Sequence, residues 1–312
     1  MKKKFQIDER LIEEYLQETT NIWELKDDYI QKMILSNSSS NSIRSLESIV
    51  TDFSKFVLEN IGKDYLDDVS KIDSNIINEY IYHLQYVQGN KGNTINYKLS
   101  RLHSMFKNGK KSKIIKVNPL EGYIRQKTTE PEKKTISREE LDKVLKNLDR
   151  RNFVECRTYF VILFQYHVGC RIGEIWMADV EDFNLDDKTW HIPVTKNRKP
   201  RTVPLPDTIV KELCFWLAVR NSVSPTTSKL MVTIEGLHVR QAILERNVKK
   251  AFVNVGMNDI STHNLRHTFC SRMVNDKGMP VNVLSAIVGT SPHVLYKNYI
   301  HTRFEDAKKY ME

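Results

Sequence analysis

The stretch T-Y-F-V-I-L-F-Q-Y-H-V at 158–168 is apolar on nearly every side. A helix that is apolar all round belongs inside a core, so this run predicts a buried helix. Gly169 follows at once and ends it. The next residues, C-R-I-G-E-I, deliver Arg171 at a turn. An arginine leaving a core needs an anionic partner, because an unpaired buried charge is costly. Glu174, three residues on, supplies one structural answer.

The second half of the chain is mixed in pattern. W-H-I-P-V-T-K at 190–196 and R-T-V-P-L at 201–205 read as two strands. The basic turn between them carries Lys196, Arg198 and Lys199, and Arg201 opens the second strand. Ser137 followed by Glu140 is a capping box that starts a helix. Asp207 caps a helix through Trp216, and another helix runs over about 239–253. Ser261 or Thr262 caps the next, and two more follow at about 280–288 and 292–300.

The first 120 residues predict helices over 7–34, 43–60, 73–87 and 91–108, with a serine-rich loop at 36–42 whose serines cap the second helix. In the last helix, Ile95, Leu99, Leu102 and Phe106 form the apolar stripe. Thr94, Lys98 and Arg101 face away from it. Residues 1–80 carry a net charge of −6, whereas 81–120 hold eight cations and no acid, and 121–312 are again basic. A cationic block attracts a polyanion through Coulomb attraction and counterion release. Lys91, Lys98, Arg101 and Lys107 are therefore candidate DNA contacts, since a basic helix face fits a major groove. Residues 122–135 lack apolar periodicity and contain Pro131, as a linker does. The expected division is 1–121 helical domain, 122–135 linker, 136–312 catalytic domain. The fold class expected is mainly α with a small β-sheet.

No run of about 18 apolar residues occurs, so no membrane span is expected. The N-terminus M-K-K-K-F-Q-I-D-E-R lacks the apolar core of a secretory signal. Cys156, Cys170, Cys214 and Cys270 include no C-x-x-C pair. They are expected to be packing residues of a reduced, cytoplasmic protein.

At 262–273 the chain reads T-H-N-L-R-H-T-F-C-S-R-M. On a helix, His263 and His267 share a face. A zinc peptidase would place Glu between two such histidines. Here the intervening residues are Asn-Leu-Arg, so the base is missing and Arg266 would set a positive charge beside the metal. No metal is expected. A phosphate site and an ordinary polar helix face remain.

Arg171 in G-C-R-I-G-E, Lys196 in the strand turn before T-V-P-L, His263-x-x-Arg266 and a late tyrosine occur in this order. The set resembles the tyrosine recombinases, or phage integrase family, in their two-domain form similar to the Xer recombinases. The resemblance covers essentially the whole chain. It implies a SAM-like helical core-binding domain followed by a mixed α/β catalytic domain. It further implies that Arg171 and Arg266 hold the non-bridging oxygens of a scissile phosphate and that His263 assists proton transfer. Lys196 would protonate the leaving 5′-oxygen, Tyr299 would attack phosphorus, and Glu174 would support the site. Tyr299 lies nine residues after Thr290, the family spacing, whereas Tyr296 lies one turn earlier and is a core candidate. Thr290 stands where the family usually has His or Trp, and its hydroxyl is a shorter donor. His293 is the nearby imidazole that could replace it. His267 matches no catalytic position and is expected to be structural.

The implied activity is site-specific DNA recombination through a 3′-phosphotyrosyl link, which needs no cofactor because the link conserves bond energy. Double-stranded DNA is the implied partner, with self-association to a tetramer on DNA. Integration of a mobile element, dimer resolution and inversion are all compatible with the residues. Absence of an arm domain before the helical domain leans toward a simple recombinase. A type IB topoisomerase-like nicking-rejoining enzyme shares the chemistry, and Thr290 keeps open a catalytically weakened DNA-binding protein of the same fold.

Overall fold

The computed structural model describes residues 20–128, 134–193 and 200–299. The chain divides into two compact units, Met1–Glu130 and Pro131–Glu312.

The first unit is helical: α1 (Ile22–Leu35), α2 (Ser40–Asn60), the short α3 (Asp64–Asp67), α4 (Ser74–Tyr82) and α5 (Gly92–Lys111). Local chemistry sets the helix starts. Asn21 accepts from the amides of Trp23 and Glu24 while Glu24 reaches back to the Asn21 amide. Ser39 caps α2, and Asp73 caps α4. The helix expected over 73–87 is α-helical only to Tyr82 and continues as one π-helical turn, His83–Val87. Leu46, Val50, Phe53 and Val57 of α2 meet Ile76, Ile77 and Tyr80 of α4 and the Ile95–Leu99–Leu102–Phe106 stripe of α5 in one core. At about 1.5–3 kcal/mol for each large side chain fully buried, this stripe holds α5 in place.

The second unit is built around α7 (Phe153–Val168), preceded by α6 (Arg138–Lys146). The expected buried helix is present and begins earlier than the apolar run, at Phe153, where Asn152 caps it. It packs against α9 (Asp207–Asn221), α10 (Gln241–Val253) and α11 (Thr262–Asn275). α8 (Ile172–Met177) follows it. α12 (Val281–Val288) and α13 (Pro292–Tyr299) lie against α11 and against each other.

The sheet has three antiparallel strands in sequence order: β1 (Phe183–Asn184), β2 (Thr189–Ile192) and β3 (Arg201–Pro204). Trp190 pairs with Val203, both buried. β1 spans two residues, too short to leave a periodic signal. β2 ends at Ile192, short of the strand expected to 196; residues 194–199, including Lys196, Arg198 and Lys199, lie outside the described residues. Pro206, not Asp207, is the N-cap of α9, and Asp207 is instead the first helical residue, paired with Lys188 at 2.7 Å. Cys156, Cys170 and Cys270 are buried, but Cys214 is exposed on α9, so it is not a packing residue. Among the described residues, no helix is long and apolar enough to cross a membrane.

Candidate active site

The site starts where α7 stops. Gly169 takes the left-handed conformation, φ 68°, which a side-chain-bearing residue adopts only with strain. A Cβ there would also lie 2.0 Å from Phe269 Cδ1, so α11 approaches closer than any other residue allows. The tight turn puts Arg171 at the N-cap of α8. Glu174, in the first turn, accepts the Arg171 amide at 2.8 Å and Arg171 Nη1 at 3.1 Å.

Arg266 comes from α11 and points the same way. Its Nη1 donates to Gly169 O at 2.8 Å, and its Nη2 donates to Val288 O at 2.8 Å. Arg171 reaches the same turn, with Nη1 donating to Val288 O at 3.2 Å and Nη2 to Gly289 O at 3.1 Å. Thr290 joins the two guanidinium groups: its Oγ1 accepts from Arg171 Nη2 at 2.8 Å and from Arg266 Nη2 at 2.7 Å. His293 is exposed at the start of α13, so the residue touching the arginines here is Thr290.

Glu174 is the negative centre of this group. Its side chain is only 4% exposed. Arg201 Nη2 lies 2.8 Å from Glu174 Oε2, and Arg266 Nη1 lies 4.0 Å from the same oxygen. Burial alone would raise the Glu174 carboxyl, but hydrogen bonds from Arg201 and the Arg171 amide, with both arginine charges, hold it below the usual carboxylate range.

Arg171, Glu174, His263 and Arg266 line one cavity of about 550 Å³, together with Gln165, Cys170, Gln241 and Glu245. His263 is exposed at its rim. Tyr299 closes α13 and is 6% exposed, buried with Phe269, Cys270, Leu284, Val288 and Leu295. Its ring centroid is 4.8 Å from that of His267, and Asn275 Nδ2 donates to its carbonyl at 3.4 Å. Burial pushes its phenol up to about 12; the neighbouring Cys270 adds to the rise, and the Arg266 and Arg171 charges oppose it. Tyr296, expected as a core candidate, is 57% exposed because the helix turns it outward.

Arg171, Glu174, His263, Arg266, Thr290 and Tyr299 thus belong to one region of the second unit. The sequence reading passed over Arg201 as one cation among several. Strand alternation carried the signal: Arg201, Val203 and Leu205 share a face, and Val203 and Leu205 are buried. It also missed the contact of His267 with Tyr299.

Of the DNA-contact candidates, Lys98, Arg101 and Lys107 lie on α5 of the first unit and Lys91 is its N-cap. Lys91 and Lys107 are exposed. Lys98 is drawn inward, 2.9 Å from Asp52, which also accepts from Tyr80 and Gln88. Arg101 donates to Ser42 O at 3.1 Å.

Family models match both units: the phage integrase family over residues 134–306 and the phage integrase SAM-like domain over 21–129. The chain is 25% identical over 228 residues to the tyrosine recombinase XerC of Psychromonas ingrahamii, covering 71% of this chain and 74% of that protein. It is 26% identical over 261 residues to XerD of Staphylococcus epidermidis, covering 79% and 86%. Among solved structures, the integrase of the transposon Tn1549 in complex with a circular intermediate DNA superposes with a TM-score of 0.76 at 16% identity, covering 94% of this chain and 99% of that one.

Proposed function

The chain belongs to the phage integrase family, and from that premise we propose that it is a site-specific DNA recombinase that cuts and rejoins strands through a tyrosine-linked 3′-phosphate. The single observation that supports this reading best is the pairing of Arg171 and Arg266 around one cavity, with Tyr299 of α13 packed against α11, the helix that carries Arg266.

In this reading the two guanidinium groups bind the non-bridging oxygens of the scissile phosphate. They offer planar forked donors and cannot lose their charge, so they stabilise the extra negative charge of the pentacoordinate transition state. Tyr299 Oη attacks phosphorus and the P–O5′ bond breaks. His263 assists the proton leaving the phenol, and Lys196 gives a proton to the departing 5′-oxygen. One phosphodiester is exchanged for another, so the step runs backward with a 5′-hydroxyl from a second strand. An ordinary tyrosine is about one part in a thousand ionised at pH 7. The buried Tyr299 is ionised still less, so proton removal accompanies attack rather than preceding it. Glu174 orients Arg171.

Double-stranded DNA is the partner this reading requires, and the Tn1549 integrase structure is a complex with a circular intermediate DNA. The first unit supplies further contacts through Lys91 and Lys107, with the 122–135 segment joining the units. A tetramer on two duplexes follows from strand exchange in pairs. Covalent complexes formed on DNA fragments carrying candidate sites, trapped and sequenced, identify the target. A plasmid bearing two copies then separates the readings. Recombinant product supports the proposal, relaxation alone supports a nicking-rejoining enzyme, and neither supports DNA binding without cleavage.

A further inference from the structure

Three guanidinium groups surround one buried carboxylate. Arg201 is nearest to Glu174 at 2.8 Å, Arg171 follows at 3.1 Å, and Arg266 stands at 4.0 Å. Arg201 is 10% exposed at the side chain, against 29% for Arg171, which faces the cavity. Arg201 does not line that cavity. Its second donor, Nε, is fixed on Ile287 O at the end of α12, 2.8 Å away. Gly289 leaves room for it: a Cβ there would lie 2.9 Å from Arg201 Nη1, on a backbone with φ 60°.

From this geometry we infer that Arg201 is a positioning residue of the reaction, the counter-charge that neutralises Glu174 so that Arg171 and Arg266 keep their full charge for the phosphate. The inference rests on the proposed function and adds a residue to it. A buried carboxylate with only Arg171 and Arg266 beside it would share their charge, leaving the pair with a net of one against the phosphate. Among the described residues, Arg201 brings the guanidinium groups around Glu174 to three against its one carboxylate, with Glu245 a further acid on the cavity wall. Arg201 also ties β3 to the end of α12, just ahead of the turn on which Thr290 meets both arginines.

The test is single-turnover cleavage of a nicked duplex carrying the trapped site, by the full chain. Arg201→Met is expected to slow cleavage about ten- to a hundredfold, below the 10²–10³ typical of a lost direct donor, with DNA affinity within about threefold of wild type. Charge compensation makes a sharper prediction. Glu174→Gln in the Arg201→Met background removes the uncompensated anion and restores part of the lost rate. Should Arg201→Met melt below the assay temperature, Arg201→Gln, which keeps a hydrogen-bonding side chain without the charge, replaces it. Arg201→Lys keeps the charge and retains more activity than either. Wild-type rates in Arg201→Met, or a loss that Glu174→Gln deepens, overturn the assignment. No covalent adduct with wild type would instead contradict the recombinase reading itself.

Discussion

His267 lies with its ring centroid 4.8 Å from that of Tyr299, the two planes inclined by 43°. Both groups are buried, and His267 follows Arg266 directly on α11. One helix therefore carries a proposed phosphate ligand and, on the next residue, the surface against which the proposed nucleophile rests. Removing the ring with His267→Ala is expected to leave DNA affinity unchanged and to slow cleavage roughly tenfold, as expected for lost alignment. His267→Phe, which restores a ring, recovers most of the rate. Single-turnover rates beside equilibrium binding make the comparison.

Arg266→Ala removes a cation proposed to stabilise the transition state. Cleavage is expected to fall by about 10²–10³ or more, because one of the two guanidinium groups facing the developing charge is lost. DNA binding, measured by mobility shift at fixed salt, changes far less.

Thr290 accepts from both arginines through one oxygen. Thr290→Ser keeps that acceptor and is expected to cleave within a few-fold of wild type. Thr290→Val leaves two guanidinium hydrogens without it, at a cost of about 1–3 kcal/mol in the site, or roughly ten- to a hundredfold in rate.

The basic helix of the first unit separates into two kinds of lysine. Lys91 and Lys107 are exposed, so neutralising both is expected to lower the slope of log affinity against log salt by roughly two. Lys98 instead pairs with Asp52 at 2.9 Å and donates to Gln88 at 3.1 Å. Lys98→Met is expected to cost roughly 1–3 kcal/mol of stability through the lost charged hydrogen bond to Asp52, which keeps its Tyr80 and Gln88 donors, read by denaturant unfolding.

Burial, with the Arg272 and Arg138 charges adding to it, pushes His167 down to about 4. An unfolded histidine titrates near 6.5, so between about 6.5 and 4 the unfolded chain binds the extra proton. The contribution of His167 is complete above pH 6.5 and is lost as pH falls toward 4. His167→Phe is expected to flatten that part of the stability–pH curve, followed by denaturant midpoints at pH 7 and 4.5.

The helices were legible because their cores repeat at helical spacing. Leu99, Leu102 and Phe106 stand on one face of α5, and the caps Ser39, Ser137 and Ser261 stand before their helices. Arg171, His263 and Arg266 stood out in the sequence through the ordered set that resembles the tyrosine recombinases, and the structure brings the three to one cavity. Other features depend on partners distant in sequence. Lys98 looked like a surface cation until Asp52, 46 residues earlier, was placed beside it. Arg201 meets Glu174, 27 residues earlier, and the end of α12, 86 residues later. The two-residue β1 and the π-helical turn at His83–Val87 have no period of their own for a sequence to show.

The central claim is that Tyr299 becomes covalently bound to DNA. Wild-type chain trapped on a nicked duplex, digested, and analysed by mass spectrometry identifies the residue that carries the nucleotide. The expected result is a 3′-phosphonucleotide on Tyr299, with no adduct from Tyr299→Phe although that variant still binds the duplex. A nucleotide on Tyr296, or an adduct that persists in Tyr299→Phe, would contradict the account.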